Sequence, residues 1–413
     1  ASVKDADGIR NVGSIIQQYA HQPLVVVVSA MDKTTNALEE LANLATCSQK
    51  GEALAQLERI RRFHFTVVEQ LFGDQAGEVQ VGLSIYLNEL EQIVQGILLL
   101  RDFPDRVYDR IMAYGELLSS VILHRYLQHM AIHAHWVDSR NTILTDAQYK
   151  SANVLWAQTQ DNIRQQVAPW VKQAVVVTQG FIGRTAEGHT TTLGREGSDF
   201  TASIYAHCLD AEAVSIWKDV PGVMNADPKK FPDAVILSRL SYEQAVEMTF
   251  YGASVIHPKT IKPLRNKRIP LHVKCFLDVQ APGTTISAFS EQEVDRLPTT
   301  LIKKQQSLIH IRPQDFSFMD EKMMRKVFNI TSSLALQINL VQSTAISLTL
   351  CVDHKDGPLK EAMSKLEENF SVQLTTGLAL KTILNCDISK LHAPLDAILV
   401  QRDGGNIFMV VVA

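Results

Sequence analysis

The run LVVVVSA, residues 24–30, limits what this chain can become more than any other feature. Four consecutive valines leave no polar side to offer solvent, so a strand built from them is covered on both faces. AVVVTQGFIG (174–183), AVSIWKDVPG (213–222) and PLHVKCF (270–276) have the same character. Between the first two lie stretches with helical apolar spacing, in ALEELANLA (37–45), LNELEQIVQGILLL (87–100) and ELLSSVILHRYL (116–127). Strands alternating with helices predict an α/β fold, a mostly parallel sheet sandwiched by helices. Ligands of such sheets bind beyond the carboxyl ends of the strands. The loops that follow those strands are therefore where chemistry is sought.

With 413 residues the chain exceeds one ordinary domain. The polar stretch SEQEVDRLPTT (290–300) is read as a boundary, giving a catalytic region over 1–289. Beyond it, SLIHIRP, KMMRKVFNITSSLAL, INLVQSTA, ISLTLCVD, PLKEAMSKLEENF and SVQLTT read as βαββαβ within 301–376. A tail over 377–413, with strands in LKTILNC, DAILVQRD and IFMVVVA, is too short for a second such unit and completes or pairs with the first. The net charge of −4 gives no electrostatic case for nucleic acid or an anionic membrane. No apolar run approaches the ~20 residues that span a bilayer. Cys47, Cys208, Cys275, Cys351 and Cys386 are widely spaced and form no C-x-x-C. That pattern predicts reduced thiols and a cytoplasmic protein.

Five strand-end loops carry the chemistry. SAMDKTTNALEEL (29–41) sets Ser29, Thr34, Thr35 and free amides at a helix start, where anions bind. GELLSS (115–120) puts Glu116 among apolar residues. TQGFIG (178–183) ends a strand in a Gly-Phe-x-Gly turn. TTTLGREGSDFTA (190–202) offers Arg195, a planar fork suited to carboxylate or phosphate, with Ser198 as the expected helix cap and Asp199 in the first turn. WKDVPGVMNADP (217–228) adds Lys218, Asp219 and Asp227. Each alone is compatible with an ordinary capped turn, but together they meet the needs of phosphoryl transfer to a carboxylate. GRTAEGHT (183–190) has P-loop glycine spacing, yet His189 stands where the phosphate-binding lysine belongs and no helix pattern follows. The histidines form no H-E-x-x-H, so no metal site made from protein ligands alone is expected.

These motifs resemble those of the aspartate kinases of the amino-acid kinase family. VVSAMDKTTNAL, GELLSS, TQGFIG, TTTLGREGSDFTA, IWKDVPGVMNADP and YGASVIHPKTI carry the resemblance, which runs over essentially the whole chain. The C-terminal region with NLVQSTAIS (339–347) resembles the family's regulatory ACT domains. The resemblance implies transfer of the γ-phosphoryl of ATP, with Mg2+, to the β-carboxylate of L-aspartate, by a monofunctional, feedback-regulated enzyme. It assigns Arg195 to the substrate carboxylate and Glu116 to the ammonium, with Ser29, Thr35, Phe181 and Ser198 lining the pocket. Asp199 is the acid that organises transfer. Lys218, Asp219, Met224, Asp227, Pro228, Lys229 and Ser254 lie along the nucleotide, the last where some members carry a lysine, for which Lys259 is a candidate substitute. Met224 stands where some members have tyrosine. Asn339, Gln342, Ser343 and Thr344 are the candidate contacts for an effector, lysine ahead of threonine, in a homodimer or dimer of dimers. The family opens with a strand ending Lys-Phe-Gly-Gly just before a Ser-Val pair, whereas this sequence starts at ASV, and the lysine expected to neutralise the transferring phosphate is absent from it. The competing expectations are an acetylglutamate or glutamate 5-kinase, and an amino-acid sensor without catalysis.

Overall fold

A computed structural model of the chain describes residues 3–253, 256–315, 317–387, 391, 394, 397–403 and 406–412. The fold divides into two compact units that are interleaved in sequence. The first holds residues up to 222, 238–242 and 256–291, and the second holds 223–237, 243–255 and 292 onward.

The first unit is built around strands β1 (Val25–Val28), β2 (Ala134–Val137) and β3 (Val175–Gln179), in the parallel order β1-β3-β2. All five residues of β3 are buried. Its valines alternate between two cores, as the two-residue period of a strand requires. Val175 and Val177 pack with Leu57, Leu83, Leu87 and Leu118, supplied by the helices Lys50–Phe72, Ala76–Leu100 and Tyr114–His129. Val176 faces the other way, onto Ile163 and onto Ile204, Tyr205 and Cys208 of the helix Gly197–Leu209. The sheet is thus covered on both sides. A hairpin of β4 (Ile182–Arg184) and β5 (Thr190–Thr192) follows directly. A second sheet has β6 (Val214–Lys218), β7 (Arg239–Ser241), β8 (Leu271–Cys275) and β9 (Thr284–Ser287) in the order β6-β8-β9-β7. The expected strands are therefore shared between two sheets, and β9 runs antiparallel to β8. The GRTAEGHT stretch forms the β4–β5 hairpin, so β5 and not a helix follows its glycines directly.

The second unit is an antiparallel six-stranded sheet. Its strands are β10 (Thr299–Pro313), β11 (Ile338–Thr344), β12 (Ser347–Asp353), β13 (Phe370–Leu384), β14 (Ala397–Asp403) and β15 (Ile407–Val412), ordered β11-β12-β10-β13-β15-β14. Helices Glu321–Ser333 and Asp356–Glu367 bury Val327, Leu359 and Leu366 against Ile309, Ile311, Leu348 and Leu350. The first is capped by Asp320, whose carboxylate accepts from the Met323 amide at 2.9 Å. The βαββαβ order expected from sequence is present. SVQLTT and LKTILNC, however, run together as the single strand β13. β14 and β15 extend the same sheet beyond β13.

All five cysteines are free thiols. Among the described residues no helix is long and apolar enough to cross a membrane.

The chain entering β9 turns through Gly283 at φ +70°, and a Cβ there would stand 2.2 Å from the Val273 carbonyl oxygen. Neither the dihedral nor the space accepts a side chain. Gly283→Ala is expected to destabilise the first unit by more than about 1 kcal/mol. Urea unfolding followed by tryptophan fluorescence checks this, because all four tryptophans lie before residue 223. An unchanged midpoint would contradict the packing described.

Candidate functional site

A cavity of about 510 Å³ opens where the strands of the first unit end. It is lined by Thr35, Tyr108, Glu116, Lys150, Phe181, Thr192, Gly194, Arg195, Glu196, Gly197, Ser198, Asp199 and Lys218. All five stretches singled out in the sequence therefore meet in it, GELLSS as the start of Glu116's helix. β3 delivers Phe181, β5 delivers the Gly194–Asp199 segment, and β6 ends on Lys218.

Glu116 sits in the first turn of its helix and is 4 % exposed. Its Oε1 accepts from the Ala30 amide at 3.1 Å, just past the end of β1. Its Oε2 is buried and has no hydrogen-bond partner. Burial pushes this carboxyl up to about 8, against the pull of the Ala30 amide. A group so placed either keeps its proton or waits for a cation.

On another wall Lys218 Nζ stands 2.8 Å from Asp199 Oδ2. That oxygen is buried and lacks an aligned hydrogen-bond donor, so the contact is one of charge. Glu196 lies beside the pair. Burial raises its carboxyl above the usual range, Lys218 opposes the rise and Asp199 adds to it. Arg195 projects into solvent on the rim. Three non-glycine residues of the cavity, Lys150 (φ +68°), Phe181 (φ +69°) and Glu196 (φ +52°), hold left-handed backbone. Strain of order 1–3 kcal/mol per such residue persists where the surrounding structure over-determines it, and it gathers at functional sites.

Ser198 is not the helix cap that the sequence suggested. The helix begins at Gly197, and left-handed Glu196 holds the cap position without a side-chain bond. Ser198 lines the cavity instead, its side chain packed against Gly180. Ser29 does not line the cavity, but its carbonyl accepts from Ser119 Oγ at 2.8 Å and thereby fixes the strand end beside Glu116. Asp219 is exposed and outside the lining, in the bend that follows the end of β6 at Lys218. Met224, Asp227, Pro228 and Lys229 belong to the second unit. There Met224 bridges to Ile236, and Asp227 Oδ1 accepts from the Lys229 amide at 3.0 Å in a tight turn. Ser254 lies outside the described residues. Lys259 Nζ donates to Ser151 Oγ at 3.2 Å.

In the second unit Asn339 is consumed by the sheet. Its amide donates to Gln306 Oε1 (2.6 Å) and Asp353 Oδ1 (2.7 Å) and its oxygen accepts from Lys303 Nζ (2.7 Å). Gln342, Ser343 and Thr344 remain exposed, on the edge strand β11 itself rather than in a turn after it. Sequence reasoning overlooked Tyr108, Lys150, Thr192 and Glu196. Only Thr192 and Glu196 stood inside a stretch already singled out.

An amino-acid-sized cavity with a buried carboxylate on one wall and cations on the others suits a zwitterion and a phosphoryl group. The chain belongs to the amino acid kinase family, whose profile matches residues 1–275. Within it the similar proteins are aspartokinases. The chain is 28 % identical to the chloroplastic aspartokinase 1 of Arabidopsis thaliana, over 99 % of this chain and 74 % of that one. It is 28 % identical to the lysine-sensitive aspartokinase 3 of Escherichia coli K12, over 94 % and 86 %. The crystal structure of E. coli aspartokinase III with aspartate and ADP, in the R-state, superposes with a TM-score of 0.85 at 26 % identity, covering 100 % of this chain and 94 % of that one. The same enzyme with lysine and aspartate, in the T-state, gives 0.82 over the same shares.

The buried carboxyl has a consequence for stability. Glu116 holds its proton in the ligand-free fold up to about pH 8, whereas the unfolded chain releases it near 4.5. The stabilisation is complete below 4.5 and lost as pH rises through 8, with a limiting slope of ~1.4 kcal/mol per pH unit. Glu116→Gln should remove this dependence. Denaturant unfolding at several pH values across the window, compared with the parent, checks it, and parallel curves would count against a protonated Glu116.

Proposed function

We propose that this chain transfers the γ-phosphoryl group of ATP to the side-chain carboxylate of L-aspartate, giving 4-phospho-L-aspartate and ADP, the step that leads towards lysine, threonine and methionine. The observation that carries the reading is Glu116, a buried carboxyl with one oxygen unpartnered in a cavity that also holds Arg195. An α-ammonium would satisfy the first and an α-carboxylate the second. Thr35, Phe181 and Ser198 complete the amino-acid pocket. Arg195 and Glu116 fix the two α-substituents, leaving the β-carboxylate to attack. An oxygen of that carboxylate bonds to the γ-phosphorus as the bond to the ADP oxygen breaks. Lys218 offsets charge on the phosphate, and Asp199 holds Lys218 in place and orients the transfer centre.

The R-state E. coli structure is named for ADP, which supports nucleotide use here. Among the described residues no three His, Cys, Asp or Glu side chains gather to hold a metal. The cavity carboxylates Asp199 and Glu196 fit a magnesium ion carried in on phosphate oxygens, either one serving as its protein ligand. Bound with the nucleotide, the ion would neutralise phosphate charge. We assign residues 1–289 to the kinase region, 301–376 to a first ACT domain and 377–413 to a short second one. The enzyme is cytoplasmic and assembles as a homodimer or dimer of dimers. Feedback comes from an end-product amino acid, lysine ahead of threonine, met by the exposed Gln342, Ser343 and Thr344 of β11. The similarity to a lysine-sensitive relative supports lysine.

A hydroxamate assay with ATP and aspartate tests the reading, with N-acetylaspartate as the competing substrate. Aspartate-dependent product, suppressed by lysine and not formed from the acetylated compound, is expected. Equal turnover of both would point instead to an acetylglutamate-type kinase, and no product with tight aspartate binding to a sensor.

Two substitutions separate binding from chemistry. Arg195→Ala removes a charge-assisted contact and should raise the aspartate KM about tenfold to a hundredfold, with little change for ATP. Asp199→Ala should depress kcat with modest KM changes, as loss of an interaction made in the transition state does. Steady-state kinetics with each substrate varied distinguishes the two patterns.

A further inference from the structure

Asp109 is a fully buried carboxylate that no sequence motif marks. It lies in the helix Asp105–Met112, beside the cavity-lining Tyr108. Its two oxygens accept from the Lys150 amide at 3.0 Å each, from the Thr192 amide at 2.8 Å and from Thr192 Oγ1 at 2.9 Å. The nearest lysine side chain is spent elsewhere: Lys150 Nζ pairs with Asp105 at 2.5 Å and sits 4.7 Å over the Tyr108 ring. A buried carboxylate held by backbone donors rather than a cation is an organising element, because losing any donor leaves it uncompensated.

The segments it joins are those that frame the exposed side of the cavity. Thr192 is the last residue of β5 and Arg195 follows three residues later. Between them Gly194 (φ +76°) is seated on the Lys150–Ser151 turn, where an added Cβ would stand 3.1 Å from the Lys150 carbonyl oxygen. The Ala152 amide donates to the Thr192 carbonyl at 2.9 Å and closes the same bracket. Arg195 itself is exposed, so the aim of its guanidinium rests on this backbone rather than on packing of its stem.

We propose that Asp109 is a positioning residue for amino-acid recognition: it clamps Thr192 to the Lys150 turn and so fixes the Gly194–Arg195 loop against the substrate carboxylate. The inference rests on the aspartate-phosphorylating reading above. It makes the hydrogen bonds, not the charge, the source of the effect. An asparagine at 109 can reproduce all but one of the four, losing only the second contact of the shared Lys150 amide. Its carbonyl oxygen accepts from the Thr192 and Lys150 amides, and its NH2 donates to Thr192 Oγ1, whose hydroxyl serves equally as an acceptor.

Asp109→Ala, Asp109→Asn and the double variant Asp109→Asn with Thr192→Val test this. Asp109→Ala should raise the aspartate KM about tenfold or more while the ATP KM stays within about twofold, since loss of buried hydrogen bonds displaces only the carboxylate-binding loop. Asp109→Asn should stay within about threefold of the parent for both substrates, and adding Thr192→Val should raise the aspartate KM above that of Asp109→Asn but short of Asp109→Ala, because the amide NH2 loses its acceptor while its carbonyl oxygen keeps the Thr192 and Lys150 amides. Equal rises in both KM values, or a fall in kcat alone, would overturn the proposal. So would an asparagine variant as impaired as the alanine one. If Asp109→Ala fails to fold, the asparagine variant and its double carry the comparison. Hydrogen exchange of the 190–197 segment gives a readout independent of turnover. Protection should be kept in Asp109→Asn, lowered in the double variant and lowest in Asp109→Ala, and equal protection across the folded variants refutes the clamp. A parent protein inactive with aspartate would refute the proposed reaction instead, and the exchange experiment would still decide the clamp.

Discussion

Complete burial of β3 is the constraint on which the rest of the first unit depends. A strand with both faces in a core has no side chain to spare for chemistry along its length. Even its polar residues are committed. Gln179 donates to Ser120 Oγ at 2.8 Å and accepts from the Ser139 amide at 2.8 Å, and Thr178 Oγ1 meets the buried Tyr205 hydroxyl at 3.2 Å. Function is therefore pushed to where the strand stops, at Gly180 and Phe181. The neighbouring strands, ending in the same direction because they are parallel, bring Ala30 with Glu116 alongside. The cavity is a consequence of strand burial and parallel pairing rather than a separate invention.

Its electrostatics follow from the same geometry. Water is excluded best near the sheet, and there the cavity holds Glu116 with an oxygen lacking any donor. Towards solvent the charges are paired or exposed, as with Lys218 and Asp199 or with Arg195. The graded environment separates roles that identical side chains could not separate in water. A buried carboxyl distinguishes an ammonium from a neutral amide strongly, because the wrong partner leaves it unsatisfied. An exposed arginine contributes less discrimination but can be approached by substrate.

The second unit answers a different requirement. Its long strands β10 and β13 pair along most of their length, but register shifts occur between Lys303, Gln306 and Leu308. At that irregularity Gln306, Asn339, Asp353 and Lys303 bond to one another, so that each polar group freed by the shift finds a partner. Such a network fixes one register among several that apolar alternation alone would tolerate. Asn339 is part of this lock, and that is why it has little left to offer a ligand. The exposed Gln342, Ser343 and Thr344 are consecutive on an edge strand, Gln342 and Thr344 on one face and Ser343 on the other, where unpaired backbone groups stand beside them. An effector bound there could alter catalysis only if it bound one arrangement of the enzyme better than another.

How much of this was legible in the sequence depended on the range of the interaction. Continuous valine runs and helical spacing are local signals, and they revealed the strands, the two regions and the βαββαβ order. Strand-end loops revealed Thr35, Glu116, Phe181, Arg195, Ser198, Asp199 and Lys218, all of which line one cavity. What stayed hidden was set by distance along the chain or by one backbone angle. Asp109 takes its donors from residues 41 and 83 positions away, inside a helix whose pattern shows only an acidic residue among others. Lys150 lies in a turn with no strand before it to mark it. Ser198 looked like a cap because capping was judged from side-chain type, whereas the left-handed Glu196 had already taken that position. Asp219 looked equivalent to Lys218 because the two are adjacent in sequence, but the strand ends at Lys218 and the bend after it leaves Asp219 in solvent. Composition identifies the groups that could act, and only the fold's alternation and long-range donors decide which of them face the same cavity.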